Sequence, residues 1–533
     1  MSLKPQPPRP MPEGIGAWGR EILAKESPYR LIGEQLYEQY REEDFADLYA
    51  VEGKPGLSPV DLGFVTVLQF LEDLSDRQAA EALRVRLDWK YALHLPLGNA
   101  GFDFSVLSEY RDRLRSGGAA SRFFDRLLGQ MQALGLLKHR GRQRTDSLAI
   151  LSKVRRLNRL ERVVETLRLA LQALQAADEG WFQRQVPGSW RERYGPRCVA
   201  ERLSASVRAL LEAEVGSDGQ WLLECLHIAG TPEVLLALPE VQLLVQVWAQ
   251  QFTVVEGAVV YQQEGPYEGH TRLQSPHDPE ARYSEQGAHP WVGYKLQVTE
   301  SEDEQLPHLL TDIAMTSSVQ TDAQALPAIQ ERLQQRGVPP KEQFADKAYV
   351  NGPTLAASEQ QGIDLMGPIQ GDTSPQARQP DGLSLEHFTL DRQACTATCP
   401  AGQVAQGHLG QEGALTFSFA KPVCLACPCR PRCCAGQGGR TLTVGPYHEW
   451  VVAARVRQKT EAFRELYRHH RGNIEGTLSA LVRGHGVRVA RYLGQAKEHL
   501  RALYIGAAVN IRRAARWLAG FRPQVRRKAP LLA

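Results

Sequence analysis

Along the first quarter of the chain, apolar residues recur at helical spacing in short runs separated by turn chemistry. Leu62, Val65, Leu68 and Leu71 form one run, opened by Ser58-Pro59-Val60-Asp61. That tetrapeptide is a helix start: Ser as N-cap, Pro at the first helical position, Asp in the first turn. Leu74-Ser75-Asp76 opens a second helix carrying Ala79, Ala80, Leu83 and Leu87. Ser105 caps a third with Leu107, Tyr110 and Leu114, closed by Gly117-Gly118. Residues 1–16, polar and Pro-rich, read as a flexible arm, and residues 17–135 as an all-helical domain.

The period changes at Arg144-Thr145-Asp146-Ser147-Leu148-Ala149-Ile150, a short strand-compatible segment holding an Asp. A long amphipathic helix follows, its apolar stripe running Val154, Leu157, Leu160, Val164, Leu167, Leu171 and Leu174. Lys153, Arg155, Arg156, Arg159 and Arg162 crowd its start, and the helical character continues to about residue 255. Strict alternation then appears at Val292, Tyr294, Leu296 and Val298, and a second apolar run spans Leu309 to Met315. With Asp303 and Pro307 between them, the two read as a hairpin. A helix over about 322–335, a strand over 343–349 holding Asp346, a helix over 353–361 and a strand over 363–369 complete the series. This order predicts an α/β ribonuclease-H-like core over 140–369 and 446–518, broken by a helical insertion at about 151–260. Residues 370–445 are rich in Gly, Pro and Cys without periodicity and read as a second insertion. From Val451 the pattern is helical to about Leu518, and 519–533 form a basic tail.

Charge sharpens this picture. The whole chain carries only +3, but from Arg483 onward there are twelve Lys and Arg against Glu498 alone, so this end is +11 and the remainder −8. A basic end on a mildly acidic body points to a polyanion, nucleic acid before membrane. The bland alternative is a charged surface that keeps the protein in solution. Arg77, Arg84, Arg86, Lys90, Arg111, Arg113 and Arg115 are expected exposed on the short helices of residues 17–135, a pattern that fits a helix-turn-helix-like DNA-binding unit; the alternative is a plain bundle. The most apolar stretch, Trp221 to Phe252, is interrupted by Glu224, Pro232, Glu233, Pro239 and Glu240, which excludes a bilayer span. No apolar signal core stands in residues 1–14, so a cytoplasmic location is expected. In that compartment clustered cysteines serve as metal ligands more often than as disulfides.

Asp146 and Asp346, each on a predicted core strand, are the first candidates for chemistry. Phosphodiester cleavage needs a strong nucleophile and neutralised phosphoryl charge, which divalent cations held by convergent carboxylates supply. A third carboxylate is expected from a helix against the sheet. Arg471-Gly472-Asn473-Ile474-Glu475-Gly476-Thr477 offers it: Arg471 and Glu475, four apart, would share a helix face, with Ile474, Leu478 and Leu481 on the buried stripe. The functional reading makes Glu475 a metal ligand and Arg471 a phosphate contact; the plain reading is a surface ion pair.

Several short segments in this order resemble the DDE transposases of bacterial insertion sequences. They are Thr145-Asp146-Ser147, Ser275-Pro276 with Asp278-Pro279-Glu280-Ala281-Arg282-Tyr283, Trp291-Val292-Gly293-Tyr294-Lys295, Ala345-Asp346 with Tyr349, Ile474-Glu475-Gly476-Thr477, Val482-Arg483, and Arg488 with Ala490-Arg491-Tyr492. The subgroup has an N-terminal helical domain and a Cys-rich insert before the last carboxylate. The resemblance implies that Asp146, Asp346 and Glu475 hold Mg²⁺ or Mn²⁺, that water hydrolyses a strand at the element end, and that the freed 3′-hydroxyl attacks target DNA. It implies terminal inverted repeats and target DNA as partners, a homo-oligomer (a dimer) assembled on DNA, no membrane, and a nucleoid-associated location in the bacterial cytoplasm. Arg471, Arg483, Arg488, Arg491, Lys497, Arg77 and Arg84 are the expected DNA contacts. Three positions depart from the pattern. Leu148 replaces a frequent second hydroxyl, and Tyr467 stands four before Arg471 where related transposases place Tyr three before. Val482 fills the position of their Lys, with Arg483 next. The competing readings are a non-enzymatic DNA-binding regulator derived from a transposase and a ribonuclease-H-fold nuclease without strand transfer.

Seven cysteines, Cys395, Cys399, Cys424, Cys427, Cys429, Cys433 and Cys434, fall in the second insertion. Cys424-x-x-Cys427 has zinc-knuckle spacing, Cys433 follows, and Cys399 in Cys399-Pro400-Ala401-Gly402 would complete a four-thiolate structural site. The related inserts carry a similar Cys-Pro-x-Gly followed by Cys-x-x-Cys-Pro, which favours this quartet; the alternative is reduced, metal-free cysteines.

Overall fold

The structure, a computed structural model, describes residues 1–154, 157–262, 272–287, 289–434 and 436–522. Arg155, Arg156 and most of the expected basic tail, 523–533, lie outside the described residues.

The N-terminal unit contains helices α1 (Glu13–Ile22), α2 (Pro59–Leu71), α3 (Asp76–Val85), α4 (Ser105–Ser116) and α5 (Arg122–Ala133). Ser58 caps α2 by accepting from the Asp61 N–H, and Ser75 with Gln78 forms a reciprocal capping box on α3. Ser105 lies just inside its helix, where Asp103 accepts from its N–H at 2.9 Å. The segment expected to be a flexible arm is seated instead. Ser2 N–H donates to the Lys54 carbonyl at 2.9 Å, Arg9 pairs with Asp61 at 2.6 Å, and α1 already begins at Glu13.

The central sheet has six strands: β1 (Arg142–Leu151), β2 (Arg282–Gln286), β3 (His289–Ser301), β4 (Leu310–Ser317), β5 (Glu342–Ala345) and β6 (Asp364–Met366). β3 is antiparallel to β1 and β4, while β5 runs parallel to β1 and β6 parallel to β5. The order across the sheet is therefore β4-β3-β1-β5-β6, with β2 pairing the first residues of β3. Gly293 makes the crossing of β3 and β1 possible: its φ is +155°, and a Cβ there would lie 2.0 Å from the Ile150 carbonyl oxygen.

Between β1 and β2 the chain forms the helical insertion, with α6 (Arg159–Ala177), α7 (Ala205–Leu226), α8 (Pro239–Gln251) and a hairpin of Phe252–Val255 and Ala258–Tyr261. It has a core of its own, from Leu160 and Val163 to Trp248 and Phe252. Asn158 and Glu161 box the start of α6, so Val154 and Leu157 precede the helix they were expected to join. Helices α9 (Asp322–Gln335) and α10 (Gly352–Gln360) link β4, β5 and β6.

The Cys-rich insertion is not irregular. It folds into a five-stranded antiparallel sheet, β7 (Thr389–Asp391), β8 (Thr396–Thr398), β9 (Val404–Leu409), β10 (Leu415–Ser418) and β11 (Thr441–Val444), around Phe388, Ala397, Phe417, Phe419, Leu442 and Val444. Strands this short leave too few alternations to register as a period. After this sheet come α11 (His448–Arg457), α12 (Glu461–Arg471), α13 (Ile474–His485) and α14 (Gln495–Leu518). The helical reading fails at 486–494, where Arg488 and Ala490 lie beside the end of β1 and exchange hydrogen bonds with Leu151 at 2.9 and 2.8 Å. Buried α14 joins the N-terminal unit to the sheet: Tyr504 meets Tyr110 at 3.1 Å, and the Asn510 side chain bonds both N–H and carbonyl of Leu310. One apolar core runs through all three.

Candidate active site

Parallel pairing of β1 with β5 sets Thr145 opposite Ala345. The next residue in each segment is an aspartate, so Asp146, in the middle of β1, and Asp346, just past the end of β5, stand side by side. Asp346 is exposed and accepts from the Lys347 N–H. Asp146 is largely buried; it accepts from the Ser147 N–H at 2.8 Å and from Arg471 Nη2 at 2.7 Å. Burial pushes the Asp146 carboxyl above the usual carboxylate range, and Asp346 adds to this, while Arg471 and the Ser147 N–H oppose it. Arg471 Nε is buried with no hydrogen-bond partner.

Tyr467 belongs to the same cluster, although its spacing gave no reason to include it. Its hydroxyl donates to the Ala345 carbonyl at 3.2 Å and its ring stacks on Phe463. Burial raises its phenol to about 12, with Arg471 pulling down and both aspartates pushing up.

Glu475 needs a correction of context. Arg471 is the last residue of α12 and Glu475 lies in the first turn of α13, with Gly472-Asn473 between, so the two do not share a helix face. Arg471 pairs with Asp146, and the surface pair of Arg471 with Glu475 does not form. Glu475 is exposed at a helix start, where a carboxylate meets the positive end of the dipole.

The α12–α13 junction is fastened over β1 by buried charges that the sequence reading passed over. Arg144 points to the same sheet face as Asp146, two residues on. Its guanidinium donates to the His470 carbonyl at 3.0 Å and to Glu300 at 2.7 Å, and pairs with Glu302. Glu300, opposite Arg144 in register, also accepts from Thr477 Oγ1 at 2.7 Å and Arg513 Nη1 at 2.8 Å. Arg513 Nη2 donates to Thr477 Oγ1 at 2.7 Å. Burial disfavours a charge on Glu300, yet Arg513 and Arg144 hold its carboxyl below the usual range. Thr477 is two residues beyond Glu475, so this network sets where the start of α13 sits. An Arg inside a strand was the available signal.

Among the described residues, Asp146, Asp346 and Glu475 do not form a group with ligand atoms all within 4.8 Å; Glu304, His469 and His470 do. The paired aspartates still fit a hard cation: they are oxygen donors, held next to each other by neighbouring parallel strands, with excess negative charge that one Arg only partly offsets.

Cys399, Cys424, Cys427, Cys429, Cys433 and Cys434 line one cavity beside Phe388, Phe419 and Arg440. Cys395 is outside it, in the β7–β8 turn near Gly407. The Gln403 N–H donates to Cys399 Sγ at 3.3 Å and the Arg440 N–H to Cys424 Sγ at 3.4 Å. Backbone donors aimed at sulfur fit thiolate ligands, although no three of the sulfurs lie within 4.8 Å of one another. Burial pushes the Cys433 thiol up to about 12, with Cys434 adding to the rise. Cys198 and Cys225 belong to the helical insertion.

The basic residues divide. Arg77, Arg84, Arg115, Arg483, Arg488 and Lys497 are exposed; Arg77 lies over the Phe104 ring and Arg84 pairs with Glu81. Arg86 is tied to Glu72 and Asp88, Lys90 is buried on the Leu97 and Asn99 carbonyls, and Arg111 pairs with Asp76. Those three, expected on the surface, hold the fold. Arg491, expected on DNA, is half-buried and donates to the Leu74 carbonyl at 3.1 Å.

Among protein families, a model described as a transposase DDE domain matches residues 398–515, and one described as a transposase domain (DUF772) matches residues 19–113. The first match contains Glu475, Arg471 and the cysteines from Cys399 onward; the second covers most of the N-terminal helices. Asp146 and Asp346 lie in neither. No curated protein and no solved structure matches the chain.

Proposed function

We propose that this chain, which belongs to the DDE transposases of insertion sequences, cuts DNA at the ends of its element and joins them to target DNA with Asp146, Asp346 and Glu475 as the acidic set. The observation that carries the reading is the pair of aspartates on neighbouring parallel segments, Asp146 within β1 and Asp346 just past β5, with Arg471 bringing the start of α13 to Asp146. The order β4-β3-β1-β5-β6, with only β3 antiparallel to its neighbours, supports a ribonuclease-H-like core over 140–369 and 446–518. Mg²⁺ or Mn²⁺ held by these carboxylates would neutralise phosphoryl charge and sharpen the attacking oxygen. Asp146 and Asp346 present oxygens from a rigid sheet, and Glu475 approaches from an exposed helix start. Arg471 neutralises Asp146, and its guanidinium fork suits a phosphate when DNA arrives.

DNA contact falls to the exposed cations: Arg77 and Arg84 on α3 as part of a DNA-binding unit over residues 17–135, and Arg483, Arg488 and Lys497 around α13 and α14. Phosphate contacts of this kind fix register without reading sequence. The partners are the terminal repeats and target DNA, engaged by a homodimer in the bacterial nucleoid; no helix among the described residues is long and apolar enough to cross a membrane. Cys399, Cys424, Cys427 and Cys433 hold a structural zinc that pins the loops of the small sheet, with Cys429 and Cys434 in the same cavity.

The test is incubation of the full chain with Mg²⁺, a target plasmid and DNA carrying the sequences that flank its gene. Cleavage at the flanks followed by 3′-end joining is expected. Cleavage without joining would leave a nuclease, and binding without cleavage a regulator.

A further inference from the structure

We propose that Glu304, His469 and His470 form a second, separate metal site, for a transition cation of the zinc class. Their ligand atoms lie within 4.8 Å of one another, although the residues come from the turn between β3 and β4 and from the last turn of α12. Two imidazoles and one carboxylate suit Zn²⁺ or Ni²⁺, whereas Mg²⁺ takes oxygen ligands and keeps its water. This distinguishes the site from the all-oxygen aspartate pair.

A second observation points the same way. His470 is buried, and its Nδ1 lies 3.4 Å from Glu302 Oε1. A carboxylate behind one ring nitrogen is how metal-ligating histidines are oriented, because it fixes the tautomer and leaves the other nitrogen's lone pair free. The ring is further held against Phe344, with centroids 5.0 Å apart, and His469 stands edge-on to it at 4.7 Å and 90°. Glu302 is itself fastened by Arg144. One ligand is therefore preorganised, while Glu304 and His469 are exposed and give the cation a way in from solvent. The end of α12 carries the negative end of its dipole and Glu304 and Glu342 face His470, against Arg142 on the same side and Arg144 on the His470 carbonyl. A bound cation would clasp the end of α12, one residue before Arg471, to the β3–β4 turn.

The experiment is equilibrium dialysis of the full-length protein against micromolar Zn²⁺ in excess Mg²⁺, followed by metal analysis. Because Glu304 and His469 are exposed, His469→Ala and Glu304→Gln should fold as the wild type does, which circular dichroism checks. Each is expected to hold one zinc fewer than the wild type, with affinity at the lost site down at least about tenfold, in the range that altering a metal site costs. Cys424→Ser should retain this equivalent, which separates it from zinc held by sulfur. Zinc content equal to wild type in both His469→Ala and Glu304→Gln overturns the proposal, as does loss of the equivalent to competing Mg²⁺.

Discussion

Replacing Thr477 by Val tests whether the buried network holds α13 in place. The side chain is buried, so Val conserves its volume and removes two hydrogen bonds: the one given to Glu300 and the one taken from Arg513, both 2.7 Å. A hydrogen bond to a charged group contributes roughly 1.5–3 kcal/mol. Glu300 keeps Arg144 and Arg513, and Arg513 keeps Glu300, so neither charge is left bare and the loss should fall short of two full bonds. The expected cost is about 2–3 kcal/mol, on the scale of that single bond. Thr477→Ser retains the hydroxyl and loses one buried methyl, about 0.8 kcal/mol. A chain of several cores need not unfold in one step, so global melting is the wrong assay. Amide hydrogen exchange over residues 474–485 reads the local opening free energy directly. Thr477→Val should lower protection there by one to two powers of ten, following about 1.4 kcal/mol per decade, with Ser close to wild type. Equal protection in Val and wild type would refute the idea that this network sets the start of α13, and with it the position of Glu475.

Three further outcomes follow. Gly293→Ala should destabilise the central sheet severely, read as loss of soluble folded protein or a large drop in Tm, because its Cβ would meet the Ile150 carbonyl oxygen at 2.0 Å; a Tm within about a degree of wild type would contradict this. His499 is held down to about 4 by burial, with Arg332 and Arg336 contributing, and its Nδ1 accepts from the Met315 N–H. The unfolded chain takes up that proton first, so its contribution is full above about pH 6.5 and is lost as pH falls toward 4, by at most about 3 kcal/mol; His499→Gln, which keeps an acceptor, should lose less stability across that window in urea titrations, and identical slopes would contradict it. Cys424→Ser should release one zinc and loosen the small sheet, seen as faster proteolysis within residues 385–445; a metal-free, protease-resistant wild type would end the four-sulfur assignment.

Much of the architecture could be read from local patterns. The alternation at Val292–Val298, the caps at Ser58 and Ser75, and the short segments around Asp146 and Asp346 lie where backbone preference and burial agree. The family was legible for the same reason: its signature segments are short and contiguous. What escaped depends on partners distant in sequence. Lys90, Arg86 and Arg111 look like surface cations until the Leu97 carbonyl, Glu72 and Asp76 are placed beside them. Arg144 reads as an ordinary strand residue until β3 brings Glu300 and Glu302 to it. The break between Arg471 and Glu475 was signalled by Gly472-Asn473, but a spacing of four made a continuous helix the simpler reading. Strands as short as those of the Cys-rich sheet give period-2 patterning too little length to stand out.

The central claim is that three carboxylates from β1, the end of β5 and α13 act as one set. The most direct measurement is the rate of cleavage of flank DNA, in Mg²⁺ and in Mn²⁺, by Asp146→Asn, Asp346→Asn, Glu475→Gln and the triple variant, each checked for folding and for DNA affinity. If the carboxylates share one task, each single variant falls nearly as far as the triple, because groups acting as a unit are not additive. DNA binding should persist in all of them, since phosphate affinity comes from Lys and Arg. A folded Glu475→Gln protein that cuts at the wild-type rate would contradict the account.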